Sequence, residues 1–474
     1  MSIYNDLLPE EVLLEIFEAY RQIFELQSGY EIKWNSRDGW FKLAHVCLRW
    51  RRVVFLSSSR LHVYLRFTPH RHMSSSEFML TILRRLPRFP IIVDHRTWNR
   101  NLKATKEYLV VAALGQHNRV RRIVLEKPRF GSKLLEALNH PFPELESLYI
   151  GLRHGPELVL PPTFLSGSTP CLRQLTLQGV APEGLSPLLS SMTSLVELTL
   201  RLRVVPSAPP ETSLLTSLKR MPYLRRLELE FGLRDFCINT TPNSSSHPAS
   251  AGNVVLLSKL THFIFRGYDL YLQMLMDGLA TPSLQHLDVQ HFGSLPFSSI
   301  SRLCKFICDI ERRFITVRLD LLHGKLDFSE EPLSKFTESQ AFLIPLWGSI
   351  SLGRMGNMHA VLLSAVEELD VEWDVQAIRQ RHNIQLRGFF KHTREVKTIQ
   401  VTSELVVNVA RSFEQDESHL DLDLLPALEQ IKVRNKAPNE PRKKDPYASI
   451  RRAFGPLIAA RKRVGRPIVL SWTY

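Results

Sequence analysis

Cysteine is scarce in this chain: five among 474 residues, at Cys47, Cys171, Cys237, Cys304 and Cys308, with no framework spacing. That argues against a disulfide-stapled secreted scaffold and predicts reduced thiols in an intracellular setting. Cys304 and Cys308 stand one helical turn apart, but no His or Cys pair accompanies them, so no metal site is expected. No apolar run reaches the ~20 residues that a membrane-spanning helix requires. The N-terminus lacks a basic stretch followed by an apolar one. A soluble protein of the cytoplasm or nucleus, without a membrane partner, is the expectation.

Catalytic signatures are missing too. There is no G-x-x-x-x-G-K-[ST], no G-x-S-x-G, no H-E-x-x-H, and no G-x-G-x-x-G after a strand. His70 and His72 have no further ligand at metal spacing, and the acid pairs Glu330/Glu331 and Glu367/Glu368 sit among other surface charges. The chain is expected to be no enzyme and to use no cofactor. Charge is unbalanced instead: 61 Lys and Arg against 47 Asp and Glu give a net +14. The arginines are scattered in small groups, among them Arg49, Arg51, Arg52 and Arg119, Arg121, Arg122, so the excess reads as a solvated surface. Nucleic acid is not the expected partner.

What the chain does have is a recurring L-x-x-L-x-L. It runs Val120/Ile123/Leu125, Leu145/Leu148/Ile150, Leu172/Leu175/Leu177, Leu195/Leu198/Leu200, Leu224/Leu227/Leu229 and Leu260/Phe263/Phe265. It goes on through Leu284/Leu287/Val289, Phe314/Val317/Leu319, Val366/Leu369/Val371, Val396/Ile399/Val401 and Leu428/Ile431/Val433. The spacing varies from 23 residues (Leu172 to Leu195) to 36 (Leu224 to Leu260), with a longer gap after Leu319. Segments such as LSPLLSSMTS between the motifs predict short helices or turns. A strand and helix that cannot bury their apolar face alone, repeated this often, predict a solenoid. The alternative is an α/β domain with chance matches. The pattern resembles leucine-rich repeats, without the asparagine that regular ones carry after the strand.

Three stretches interrupt the array. Residues 236–253 are polar and predict a loop. HGKLDFSEEPLSKFTESQAFLIPLWGSISLG spans the long gap and predicts an extra hairpin or a decayed repeat. Residues 435–447 form a charged linker, after which a basic amphipathic helix and a last short strand are expected; PRKKDP and RKRVGR could serve as nuclear signals.

Alternation along each strand sends the neighbours of the motif's last two apolar residues to the opposite face. These include Gln174, Thr176, Gln178; Glu197, Thr199, Arg201; Arg226, Glu228, Glu230; His286, Asp288, Gln290; and Glu368, Asp370, Glu372. The later repeats thus predict an acidic strip, with Glu228, Glu230, His286, Asp288, Glu368, Asp370 and Glu372 as candidates for holding a basic segment of a protein substrate. A sheet face that is merely soluble is the alternative.

The N-terminal part has a different period. In LPEEVLLEIFEAY, Val12, Leu13, Ile16, Phe17 and Tyr20 make a helical stripe, with Pro9 and the early glutamates suited to its first turn. After an insert at about 21–39, Leu43, Val46, Cys47, Trp50, Val53 and Val54 predict a second stripe flanked by Arg49, Arg51 and Arg52. LPEEVLLEIF, VCLRWRRVV and SSSRL together resemble an F-box, most closely the F-box-like segments of fungal proteins. The resemblance covers roughly residues 1–70. It implies binding to a Skp-type adaptor on a cullin scaffold through Leu8, Pro9, Val12, Leu13, Ile16, Phe17, Val46, Cys47, Trp50 and Val53. The insert and CLRW in place of CRRW depart from the usual pattern.

The expected fold is therefore α/β: an N-terminal all-helical F-box (1–70), a helix and strand cap (71–119), an irregular leucine-rich-repeat-like solenoid (120–434), and a closing linker, helix and strand (435–474). The expected role is the substrate-recognition subunit of a cullin–RING (SCF-type) ubiquitin ligase. Alternatives are an interaction scaffold outside any ligase and, further off, a basic nucleic-acid-associated protein.

Overall fold

The computed structural model describes residues 8–27, 40–56, 63–66, 81, 83–85, 88–96, 107–126, 132–152, 158–167, 169–181, 185–203, 211–232, 254–267, 269–291, 297–310, 314–320, 325–332, 342–345, 360–372, 386–416, 419–434 and 448–473. The polar stretch 236–253, the linker 435–447, most of the N-terminal insert, and His70 and His72 lie outside them. The chain divides into two compact units, Met1–Leu224 with Leu233–Asp235, and Arg225–Gly232 with Phe236–Tyr474.

The first unit opens with α1 (Glu10–Gln27), a 3₁₀ turn (Trp40–His45) and α2 (Leu48–Leu56). Six parallel strands follow in sequence order: β1 (Val63–Arg66), β2 (Ile91–Arg96), β3 (Val120–Glu126), β4 (Ser147–Gly151), β5 (Gln174–Gln178) and β6 (Glu197–Arg203). Their connections hold α3 (Glu107–Leu114), α4 (Ser132–Ala137), a 3₁₀ turn (Phe164–Gly167), α5 (Leu185–Ser190) and α6 (Glu211–Leu218). The helix expected before β2 is present at residues 81 and 83–85. The N-terminal helices and these strands belong to the same compact unit. Phe55 of α2 meets Phe89, just before β2, edge to face at 5.8 Å.

The second unit begins with β7 (Arg226–Gly232). Its sheet includes β9 (His262–Gly267), β11 (His286–His291), β12 (Thr316–Asp320), β13 (Lys325–Ser329), β14 (Phe342–Pro345), β15 (Glu368–Glu372), β16 (Thr398–Thr402), β19 (Gln430–Arg434) and β20 (Val469–Thr473). Two small pairs lie apart: β8 (Val255–Leu256) with β10 (Leu279–Ala280), and β17 (Glu414–Asp416) with β18 (His419–Leu420). Helices α7 (Asp269–Gly278), α8 (Phe297–Cys308), α9 (Ala360–Leu363), α10 (Arg387–Phe390), α11 (Val406–Arg411) and α12 (Ala448–Arg463) fill the connections. Strand order in the unit is β7-β9-β11-β14-β13-β12-β15-β16-β19-β20. The long gap after Leu319 contains the extra hairpin: β13 is antiparallel to both β12 and β14 and stands between them, while the other pairings are parallel.

All eleven L-x-x-L-x-L motifs place their last two apolar positions on a strand, and the motif side chains other than Leu319 are at most 2% exposed. Burying a Leu, Ile or Phe in this way stabilises by roughly 1.5–3 kcal/mol before chain entropy is subtracted. A backbone ladder outside the strands ties successive turns. In several turns the amide of the residue after the motif's first apolar position donates to its counterpart one turn back: Glu146 to Arg121 at 2.8 Å, Arg173 to Glu146 at 2.9 Å, Thr261 to Arg225 at 2.9 Å, Gln285 to Thr261 at 2.8 Å. In the last turns Glu367, Lys397, Glu429 and Val469 continue it from Ile315, each at 2.8 Å. Charges alternate on that ladder, and Lys397 Nζ lies 2.9 Å from Glu367 Oε2. Gly179, at the end of β5, has φ of +72°, and a Cβ there would strike the Leu152 carbonyl, so only glycine suits the turn.

Candidate functional site

Two surfaces carry the residues that the sequence singles out. The first is the helical pair at the N-terminus. Pro9 accepts the Leu13 amide at 3.2 Å and opens α1, whose first turn holds Glu10 and Glu11. The second predicted helix is split into the 3₁₀ turn and α2. Cys47 makes the break by capping α2: its Sγ accepts the Trp50 amide at 3.4 Å, and its carbonyl accepts the Arg51 amide at 3.0 Å. Arg51 Nε reaches back to the Ala44 carbonyl at 2.9 Å, and Arg49 donates to the Leu8 carbonyl, pinning the two helices.

The ten residues of this site divide by burial. Leu13, Phe17 and Val53 are fully inside, and the Phe17 ring lies 5.0 Å from that of Trp50 at 59°. Trp50 itself is half-buried, and its shielded Nε1 meets no acceptor among the described residues. Leu8 and Cys47 are half-buried and Pro9 is exposed. Val12 and Ile16, one turn apart on α1, are each 40% exposed, and Val46 is 52% exposed. Leu48 and Leu56 are also exposed. A single amphipathic stripe does not reveal this division, because the neighbouring helix covers only half of it.

The second surface is the sheet face of the later repeats. The acids lie on it in strand register, as alternation requires. A row of partners runs from Glu228 through Ile264, Asp288, Leu343, Asp327, Arg318, Asp370 and Gln400 to Lys432. Glu228, Asp288, Asp327 and Asp370 are all buried. Arg318 Nε and Arg434 Nη2 each lie 3.1 Å from Asp370 Oδ2. Burial raises the Asp370 carboxyl above the ordinary carboxylate range, Arg434 and Arg318 pull it back, and Glu372 adds to the rise. Glu372 is 4.0 Å from Arg434, Glu230 is 3.7 Å from Arg266, and Glu228 is 3.9 Å from Arg226. His286 sits beside His262 at 5.6 Å between ring centres, and Gln290 donates to Asp288 at 3.3 Å. Glu368 is half-buried at the start of β15.

The strip is thus a band of ion pairs with buried carboxylates. Arg266, Arg318 and Arg434 stand at positions that the same alternation assigns to this face, so applying it to β9, β12 and β19 finds them. Asp327 escapes it, since β13 carries no L-x-x-L-x-L. Among the described residues no group of three His, Cys, Asp or Glu could hold a metal ion, and no helix is long and apolar enough to cross a membrane.

No protein-family model matches the chain, and no curated protein matches it. Among solved structures it is similar to the leucine-rich repeat-containing protein LegL7 from Legionella pneumophila, at 14% identity and a TM-score of 0.31, over 70% of this chain and 97% of that one. The reading of this chain as a repeat of parallel strands stands on its own motifs and ladder.

Proposed function

We propose that this protein is a non-catalytic recognition subunit of a cullin–RING ubiquitin ligase, with the N-terminal helices docking a Skp-type adaptor and the repeat strands holding a protein target. The observation that supports it most is the division of the F-box-like residues. Leu13, Phe17 and Val53 hold the helices together, while Val12, Ile16 and Val46 leave apolar surface uncovered. Exposed apolar side chains on a small charged helical unit suit burial against an apolar partner surface, each contributing on the order of 1–3 kcal/mol before association costs. In this reading ubiquitin transfer gains only from proximity: the target's lysine is held at high effective concentration near the conjugating enzyme. The polar sheet face, with its paired charges, would give the target specificity through complementary charge rather than bulk apolar area.

Co-purification tests it. The full chain expressed with a Skp-type adaptor should retain the adaptor, and a folded Leu8→Ala/Pro9→Ala variant should lose it. If folded wild-type protein retains none, the remaining reading is an interaction scaffold whose N-terminal helices are only a cap.

A further inference from the structure

Five basic side chains stand together on α12: Arg451, Arg452, Arg461, Lys462 and Arg463. Its inner side is Ile450, Phe454, Leu457, Ala460 and Arg461, all buried. Its outer side presents Arg451, Arg452, Lys462 and Arg463, all exposed. No acid occurs between Ala448 and Arg463, so no carboxylate one turn away offsets these charges. Lys462 and Arg463 suit the helix C-terminus, but Arg451 and Arg452 lie close to the N-terminal end, where the helix dipole disfavours cations. Stability therefore does not explain that pair. Arg466, past the helix, is 4.0 Å from Asp423 and is left out of the set.

The spacing is specific. Arg451 to Lys462 and Arg452 to Arg463 are each eleven residues, or three turns plus about 20°, so the two pairs share a side roughly 16 Å apart. Between them the exposed positions are Pro456 and Ala459, with half-buried Gly455 beside them and half-buried Ile458 at the edge next to Arg451. We propose that this face of α12 docks onto the phosphate backbone of duplex nucleic acid without reading its sequence. A groove about 12 Å wide separates two rims of phosphates, which a helix lying across it can bridge. Cation pairs at the two ends can reach the two rims across a waist of small residues. Guanidinium forks match phosphate oxygens, and no side chain in the waist can hydrogen-bond a base edge. An acidic peptide would be better matched by evenly spread charge. An anionic membrane would call for large apolar side chains on the same face, and Val464 lies beyond the last helical turn. The paired carboxylates of the sheet face belong to another surface and do not enter.

The test is fluorescence anisotropy of a labelled mixed-sequence DNA duplex of about 20 base pairs with the full chain, across a salt series. Four phosphate contacts give a log–log salt slope of about −4, little changed between duplex sequences. Arg451→Gln/Arg452→Gln/Lys462→Gln/Arg463→Gln should weaken binding at least tenfold with an unchanged circular dichroism spectrum. If that variant misfolds, Arg451→Gln/Arg452→Gln alone should bring the slope to about −2. Wild-type protein that ignores the duplex at low salt overturns the proposal, as does a folded variant that binds like wild type. Tighter binding to polyglutamate, or to vesicles rich in phosphatidylserine, than to the duplex at the same salt also overturns it.

Discussion

Arg318 on β12 and Asp370 on β15 face each other in register across two parallel strands, with Nε 3.1 Å from Oδ2. Arg434 approaches the same oxygen at the same distance from β19, so one buried carboxylate joins β12, β15 and β19 through side chains. Asp370→Ala takes away the oxygen that both partly shielded guanidiniums share. It is expected to destabilise the second unit by about 3 kcal/mol near neutral pH, read by urea unfolding with an unchanged m-value.

The same carboxyl gives a pH signature. Its folded-state value lies above its unfolded one, so the folded chain holds the proton more tightly. Stability from this group then falls as pH rises through the window between the ordinary carboxylate value and the raised one. Lowering the pH through that window should raise the stability of wild type relative to Asp370→Asn. A difference that moves the other way contradicts the assignment.

Arg461 is fully buried on α12, and its Nη2 donates to the carbonyls of Leu424 at 2.6 Å and Leu425 at 3.0 Å, the latter a residue at φ +54°. Burial lowers the guanidinium's pKa from its ordinary value. Arg461→Leu fills some of the space and leaves those carbonyls unpaired. The expected loss is about 2–4 kcal/mol, and Arg461→Lys should recover only part of it, since one ammonium cannot reproduce the fork. Thermal unfolding of the three proteins checks the order.

Phe17 packs on Trp50 inside the N-terminal helices. Phe17→Ala should destabilise them by about 3–5 kcal/mol. Trp50 reports the change locally through its fluorescence if the other tryptophans are replaced. Val12→Ala, at a 40% exposed position, should leave that signal within error.

The strands of the repeats were legible because their signal is local. Leu172, Leu175 and Leu177 announce β5 without reference to any other residue. The β13–β14 hairpin was legible only as an interruption, since its residues follow no repeat. What pairs with what was not legible: Asp370 is one acid among several until Arg318 and Arg434 are placed beside it by strand order. The N-terminal stripe likewise shows that Leu13 and Ile16 are both apolar, but only packing decides that Leu13 turns inward and Ile16 outward. Cys47 reads as one more apolar residue, and its role as a helix cap depends on where the chain turns.

Adaptor binding by the exposed half of that stripe tests the central claim most directly. Titration calorimetry of a purified Skp-type adaptor into the full chain should show one-to-one binding, and Val12→Glu/Ile16→Glu should weaken it at least tenfold, or about 1.4 kcal/mol, without altering circular dichroism. No binding by folded wild-type protein, or equal binding by the double variant, would contradict it.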